Sequence, residues 1–185
     1  MVSDIYILNK MIKDNAKISP EENYGKLKVI LPEPQHQDSS ATISGLPNNA
    51  ITIKVDNFKS PDTIFNCSND ECKRSDFVII ADTGNKKVIL HIEMKATKGK
   101  TKKAIIKQLK GADCFVAYCR KIGKEFWNKQ DFLDGYNTRF VSIGHTSIDK
   151  KKTRITRNTD IHDSPERMLK IDSPHYLQFN HLAGK

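Results

Sequence analysis

The feature that most constrains the fold of this chain is a pair of apolar segments joined by a short turn. Residues 75–82 and 86–95 are both rich in β-branched and aromatic side chains, and Thr83-Gly84-Asn85 separates them. This pattern predicts a β-hairpin. Because both faces of each segment are apolar, we expect the hairpin to lie in the centre of a sheet and to be covered on both sides.

The turn also fixes which residues of the hairpin face each other. A two-residue loop at Gly84-Asn85 places Asp76 directly opposite Glu93, with Cβ atoms about 4.5–5.5 Å apart on one face. Lys95 follows Glu93 by two residues and points to that same face. Two adjacent carboxylates repel, and a divalent cation such as Mg²⁺, which binds carboxylates, waters and phosphate oxygens, would offset that repulsion.

The rest of the sequence alternates between helical and extended patterns, which predicts an α/β protein with a mixed central β-sheet flanked by helices. We expect helices at 3–16, 101–121 and 125–136, strands at 26–31, 50–56 and 139–143, and irregular segments at 32–42 and 57–75.

The helix at 101–121 is amphipathic. Its apolar residues advance by three and four positions and form one stripe: Ile105, Leu109, Ala112, Val116 and Cys119. Lys103, Lys107 and Lys110 fall on the opposite, solvent-facing side. Gln108 lies at the edge of the stripe, so we expect it to face the sheet near the two carboxylates.

Charge is concentrated in one part of the chain. The chain has 185 residues, a length that fits one soluble domain spanning 1–185, and its formal net charge is +9. Residues 95–124 hold ten basic residues and one acid, and 149–157 add a second basic cluster at the start of a partly irregular C-terminal segment, 149–185. One such run alone would be a solvated helix face, but two runs beside a carboxylate pair favour a polyanionic partner.

The sequence resembles the PD-(D/E)XK nuclease superfamily. The resemblance lies in a hairpin that carries Asp76 and Glu93-Met-Lys95, followed by a helix with Gln108 and then by another strand. The resemblance covers residues 50–145 and implies a restriction-endonuclease-like fold. It also implies that Asp76 and Glu93 bind Mg²⁺, for which Mn²⁺ can substitute. Lys95 would assist catalysis, and Gln108 would be the polar helical residue that family members often carry.

The sequence departs from the family pattern immediately before Asp76. Ser75 stands where the motif has proline, while Pro61-Asp62 supplies a literal Pro-Asp, so Asp62 is an alternative metal-binding acid. Some members use a further acid from the first helix or its end, and Glu21 and Glu22 are candidates for it.

The resulting hypothesis is a cytoplasmic, Mg²⁺-dependent endonuclease that cleaves DNA, in restriction or phage defence. The triad chemistry does not itself distinguish DNA from RNA, and cleavage of both strands would favour a homodimer. No segment is long and apolar enough to span a membrane. The residues expected to hold the nucleic-acid backbone are Lys98, Lys100, Lys102, Lys103, Lys150, Lys151, Lys152, Arg154 and Arg157. The alternative is a catalytically inert nucleic-acid-binding or regulatory protein with the same fold.

The four cysteines, Cys67, Cys72, Cys114 and Cys119, do not form a disulfide framework of the secreted type. Reduced thiols are therefore expected. Zinc binding stays open, although the four-residue gaps are wider than the usual zinc spacing.

Overall fold

The computed structural model describes residues 2–33, 39–96, 101–144, 161–172 and 176–184, together with the backbone of 154–155. Within these residues the protein is mixed α/β. The strands are β1 (Lys17–Ile18), β2 (Glu21–Asn23), β3 (Lys26–Pro32), β4 (Ser40–Leu46), β5 (Ala50–Lys54), β6 (Phe77–Asp82), β7 (Lys87–Lys95), β8 (Asn137–Gly144), β9 (Arg154–Ile155), β10 (Leu169–Asp172) and β11 (Leu177–Gln178). The helices are α1 (Asp4–Met11), α2 (Lys102–Phe126) and α3 (Phe179–Ala183). No helix among the described residues is long and apolar enough to cross a membrane.

In the described part of the chain the strands form two mixed sheets. The larger has seven strands in the order β1-β5-β6-β7-β8-β10-β9, and the smaller has four in the order β11-β4-β3-β2. In the larger sheet, β5, β6 and β7 are antiparallel neighbours, whereas β8 runs parallel to β7 and β10 runs parallel to β8. Helix α2 makes the crossover that a parallel β7–β8 pair requires.

The central hairpin has the register that the sequence predicts. Phe77 pairs with Ile92 and Asp82 pairs with Lys87, so the same spacing places Asp76 opposite Glu93. The Thr83 N–H donates to the Lys86 carbonyl at 2.9 Å and closes the two-residue loop. Gly84 adopts φ +83°, a conformation that a side chain would disfavour.

Two apolar layers cover the faces of this hairpin. Alternate residues, among them Phe77, Ile79, Leu90 and Ile92, pack toward the smaller sheet and α3. The intervening residues, such as Val78, Ile80 and Ile89, pack against α1 and α2. The expected central and covered position of the hairpin is therefore confirmed.

Helix α2 follows the predicted stripe. Thr101 caps it by accepting a hydrogen bond from the Ala104 N–H at 3.3 Å. Leu109, Ala112, Val116 and Cys119 are buried, while Ile105 is partly buried. The helix is longer than expected because it continues to Phe126.

The helix expected at 125–136 is wrong. After α2 ends at Phe126 the chain forms turns, and Asn128 and Leu133 adopt positive φ angles of 53° and 58°. Such left-handed residues interrupt a right-handed helix. Phe132 instead packs against α2 at Gly123, where a Cβ would overlap the phenyl ring.

Smaller differences concern element ends. The first helix stops at Met11, and a short 3₁₀ turn at Asp14–Ala16 replaces its expected last residues. The strand expected at 50–56 ends at Lys54, again followed by a 3₁₀ turn. Strand β4 begins at Ser40, inside the segment expected to be irregular, whereas 34–38 lie outside the described residues.

Candidate active site

Asp76 directly precedes strand β6, and its main chain still forms a hydrogen bond within the sheet. The Val55 N–H donates to the Asp76 carbonyl at 2.8 Å, which directs the Asp76 main chain toward the β5 side. The Met94 N–H donates to Asp76 Oδ2 at 2.7 Å. The carboxylate therefore acts in place of a main-chain acceptor from the β6 side and is held against β7.

The orientation of the Asp76 main chain determines how it faces Glu93. Because its carbonyl bonds to β5, Asp76 and Glu93 form a non-hydrogen-bonded antiparallel pair, the kind in which side chains are closest. Their Cβ atoms are thus about 4.5–5.5 Å apart. The structure brings the two predicted carboxylates together.

Glu93 and Lys95 lie near the end of β7. Glu93 is fully buried, and the Lys95 ammonium forms an ion pair with its Oε1. On the next strand Ser142 lies at the register position of Glu93 and is also buried. A buried carboxylate needs such a partner, because burial without one is costly.

Burial raises the pKa of the Asp76 carboxyl to about 6. The Lys95 ammonium and the hydrogen bond from Met94 act in the opposite direction, while the nearby carboxylate of Glu33 raises the pKa further. Removal from water outweighs the attraction to one lysine. Burial thus disfavours the ionised form of Asp76, and a bound cation would stabilise that form.

Glu33 is an acidic residue of this region that the sequence analysis missed. It follows β3 directly, is 4% exposed, and its Oε2 has no hydrogen-bond partner among the described residues. It continues the alternation of Val29 and Leu31, which point into the core. Extending that period of two past Pro32 would have placed Glu33 inside, but the prolines on either side indicated a loop.

Gln108 faces the sheet, as expected from its place on the stripe. Its side chain is buried, and Nε2 lies 3.5 Å from the Arg74 carbonyl oxygen, which is two residues before Asp76. Gln108 thus contacts the backbone that leads into the site.

A row of register partners extends from the site across the sheet. Lys95 pairs with Gly144, Gly144 with Asp172, and Asp172 with Arg154. Asp172 Oδ1 lies 3.0 Å from the position that a Cβ on Gly144 would take. Asp172 was not singled out from the sequence, because the β8–β10 pairing joins distant parts of the chain. The row places Arg154 at the same end of the sheet as Lys95.

The other basic residues are only partly described. Lys102 and Lys103 are exposed in the first turn of α2. Lys98, Lys100, Lys150, Lys151, Lys152 and Arg157 lie outside the described residues, and only the backbone of Arg154 is described.

The alternative acids are exposed. Asp62 lies in a 3₁₀ turn, where its charge acts on Arg74. Glu21 and Glu22 lie in β2 at the edge of the smaller sheet, and Glu21 forms an ion pair with Lys28 at 3.2 Å. None of the three has the burial of Asp76 or Glu93.

The donor set suits Mg²⁺ rather than a soft metal. Among the described residues there is no cluster of three or more His, Cys, Asp and Glu side chains able to hold a metal. Two carboxylates are nevertheless what Mg²⁺ uses together with waters and phosphate oxygens. The carboxylate oxygens of Asp76 and Glu93 fit that ion.

The cysteines differ from expectation. Cys67 and Cys72 form a disulfide, so the expectation of reduced thiols is wrong for this pair. Cys114 is free and exposed, and Cys119 is free and buried, with the pKa of its thiol raised to about 12 by burial. The pairing could not be predicted because it depends on the path of an irregular loop. A zinc site that uses all four cysteines does not fit this arrangement.

His91 lies on the same face of β7 as Glu93 but belongs to the core. Its ring stacks on Phe140 with centroids 4.8 Å apart, and Nε2 lies 3.5 Å from Asp113 Oδ1. Burial lowers the pKa of His91, although Asp113 opposes this.

A separate cavity of about 230 Å³, lined by residues such as Asn9, Lys17 and Thr52, does not include the carboxylate pair.

Comparison of the chain with protein-family models, with curated proteins and with solved structures gives no match. The function is therefore argued from the site itself.

Proposed function

We propose that this protein is a Mg²⁺-dependent nuclease that hydrolyses phosphodiester bonds in DNA, with a restriction-endonuclease-like arrangement of β5, β6, β7, α2 and β8. The observation that carries the proposal is the Asp76 and Glu93 pair with Lys95 in contact. Three antiparallel strands, a crossover helix and a parallel fourth strand around that pair support it.

Asp76 and Glu93 would hold the metal ion between β6 and β7. When bound, Mg²⁺ would polarise a phosphate oxygen and lower the pKa of a bound water. The Met94 N–H keeps the Asp76 carboxylate in place through Oδ2. With its pKa raised to about 6, Asp76 is half ionised near pH 6, and the ionised form that binds a cation becomes dominant as pH rises further.

Lys95 would act on the phosphate. Its ammonium is held by Glu93 near the carboxylate pair, and 12% of the side chain is exposed. From there it can donate a hydrogen bond to a non-bridging phosphate oxygen, whose negative charge increases as water attacks phosphorus and the ester oxygen leaves. Lys102 and Lys103 would hold the flanking phosphates without reading base sequence.

The proposal is tested with supercoiled and single-stranded DNA incubated with the protein and Mg²⁺. We expect nicking that EDTA abolishes, and a loss of at least about 100-fold for Glu93→Gln and for Lys95→Met, as removal of one charge-stabilising group typically gives. Lys121→Met is the matched control, because Lys121 is exposed far along α2 and pairs with Glu125. Equal cleavage by Glu93→Gln and wild type would refute the assignment.

A catalytically inert nucleic-acid-binding protein is the second candidate. The Glu93–Lys95 ion pair favours it, because that contact already satisfies charge that a metal would otherwise balance. Titration calorimetry with Mn²⁺ separates the two functions. Binding that disappears in Asp76→Asn supports the nuclease, whereas salt-sensitive DNA binding without any Mn²⁺ binding supports the inert protein.

A further inference from the structure

The segment that leads into Asp76 is held against α2 at three points. We call residues 67–74 the clamp segment. Lys107 Nζ donates to the Asn69 carbonyl at 2.9 Å, and Gln108 Nε2 contacts the Arg74 carbonyl at 3.5 Å. The third contact is at Gly111 of the helix, where a Cβ would overlap the carbonyl oxygen of Lys73. The clamp segment therefore follows one face of α2 for about one turn.

The Cys67–Cys72 disulfide closes this segment into a small ring, with Cα atoms 5.3 Å apart. Inside the ring the Asn69 N–H donates to Glu71 Oε2 at 2.8 Å. Cys67 and Asp70 adopt positive φ angles of 57° and 67°. Residues other than glycine keep such angles only where the surrounding structure imposes them.

Besides these contacts, the Arg74 guanidinium lies over the Phe58 ring, 5.9 Å from its centroid. The clamp segment contains no residue of the apolar core, and its side chains are exposed or only partly buried. Both cysteines are partly exposed, so a small thiol can reach the bond. Arg74 donates through Nη1 to the Cys72 carbonyl at 3.1 Å and is followed by Ser75 and then by Asp76. A ring that a thiol can open therefore lies directly before Asp76 in the chain.

We infer that the Cys67–Cys72 disulfide is a positioning element for Asp76, and that it makes the candidate site responsive to thiol redox state. The consequence for activity rests on the proposed nuclease function. Opening the ring takes two electrons and two protons from a dithiol reductant, which becomes a disulfide while Cys67 and Cys72 become thiols. An oxidising disulfide reverses the step by exchange.

The positional part is tested by hydrogen exchange with mass spectrometry on the oxidised protein and on protein reduced with dithiothreitol. We expect amides of residues 69–76 to exchange at least about tenfold faster after reduction. Amides at the turn end of the hairpin, from Ile79 to the end of β6 and from the start of β7 to Leu90, should stay unchanged. Equal protection of residues 69–76 in both states would overturn the inference.

The functional part compares kcat and KM for Mg²⁺-dependent DNA cleavage in the two states. Reduction should lower kcat about tenfold and leave KM within twofold, because Lys102 and Lys103 remain in place. Air oxidation should restore kcat. A fall in kcat that matches a fall in the folded fraction, measured by circular dichroism, would indicate general unfolding and contradict the inference. A rise in KM would place the effect on DNA binding and would also contradict it.

Three variants complete the test. Cys67→Ser with Cys72→Ser should behave like reduced wild type and be insensitive to dithiothreitol. Gly111→Ala, which displaces the Lys73 carbonyl without touching the disulfide, should show the same faster exchange. Cys114→Ser removes an exposed free thiol from the same helix and should respond like wild type. If oxidised wild type fails to cleave DNA, the proposed function is wrong, and the exchange comparison still decides whether the disulfide positions Asp76.

Discussion

At the scale of single residues, the site is a balance between two carboxylates and one ammonium in a place with little water. Glu93 is fully buried and is compensated by Lys95. Asp76, at 9% exposure, forms no ion pair within the described residues and is oriented by a main-chain N–H. The two acids therefore differ in what ionisation costs them, and Asp76 is the one whose charge opposes folding.

This difference predicts how stability depends on pH. The pKa of Asp76 is raised from 3.8 to about 6 in the folded protein, so folding favours its protonated form. Its contribution is fully favourable below about pH 4 and is lost as pH rises through 6. Asp76→Asn keeps an acceptor for the Met94 N–H without the charge. It should raise the unfolding free energy by roughly 2–3 kcal/mol at pH 8 and by less than about 1 kcal/mol at pH 4, measured by urea denaturation.

Asp113→Asn is the control of opposite sign. The contact with His91 lowers the pKa of Asp113, so its ionised form stabilises the fold at neutral pH and that contribution disappears in acid. The variant should be less stable than wild type at pH 8. An Asp76→Asn protein that is less stable than wild type at pH 8 would show that burial does not dominate at Asp76.

At the scale of elements, two close contacts that require glycine fix the position of α2. Gly111 meets the Lys73 carbonyl, and Gly123 meets the Phe132 ring. The first contact is with backbone and the second with a buried aromatic side chain. Both fix the helix against irregular segments rather than against a strand.

Gly123→Ala should be destabilising because its Cβ would overlap Phe132, which is fully buried and can move only by disturbing the core. Overpacking of this kind costs about 1–3 kcal/mol, and the gain in helix propensity from glycine to alanine offsets at most about 1 kcal/mol of it. Chemical denaturation measures the net loss. Ala117→Ser, on the exposed side of the same helix, should change stability by less than about 0.5 kcal/mol. A more stable Gly123→Ala would mean that Phe132 packs loosely.

The elements also show what could be predicted from sequence. The two-residue turn fixes the hairpin register, and hence the opposition of Asp76 and Glu93. The stripe on α2 likewise places Gln108. By contrast, Asp172 reaches the row beside Lys95 through the β8–β10 pairing, and Cys67 meets Cys72 through loop conformation. Neither relation leaves a local pattern in the sequence. The helix predicted at 125–136 failed because Leu133 adopts a positive φ angle, which the sequence does not indicate.

At the scale of the whole molecule, three basic residues lie at the end of the sheet that holds the carboxylates. Lys102 and Lys103 begin α2 just after β7 ends at Lys95, and the backbone of Arg154 lies in the row that contains Lys95. A polyanion that contacts these residues would pass over the candidate site.

Salt dependence of DNA binding tests this arrangement. Each phosphate contact contributes about −0.9 to the slope of log K against log salt for duplex DNA. Replacing Lys102 and Lys103 by methionine should make the slope less negative by about 2, measured by fluorescence anisotropy between 50 and 200 mM salt. Lys26→Met, at the exposed β2–β3 turn of the smaller sheet, should leave the slope unchanged. An identical slope in the double variant would place the DNA elsewhere.

The closeness of Asp76, Glu93 and Lys95 within a single hairpin bears on how the protein folds. Hairpins form in about 1–10 μs, whereas the parallel β7–β8 pairing must wait for the α2 crossover to close a long loop. The three residues can thus approach one another before most of the sheet exists. Repulsion between the two carboxylates would then slow an early step of folding, and a divalent cation present at that stage would act on the folding rate as well as on the finished protein.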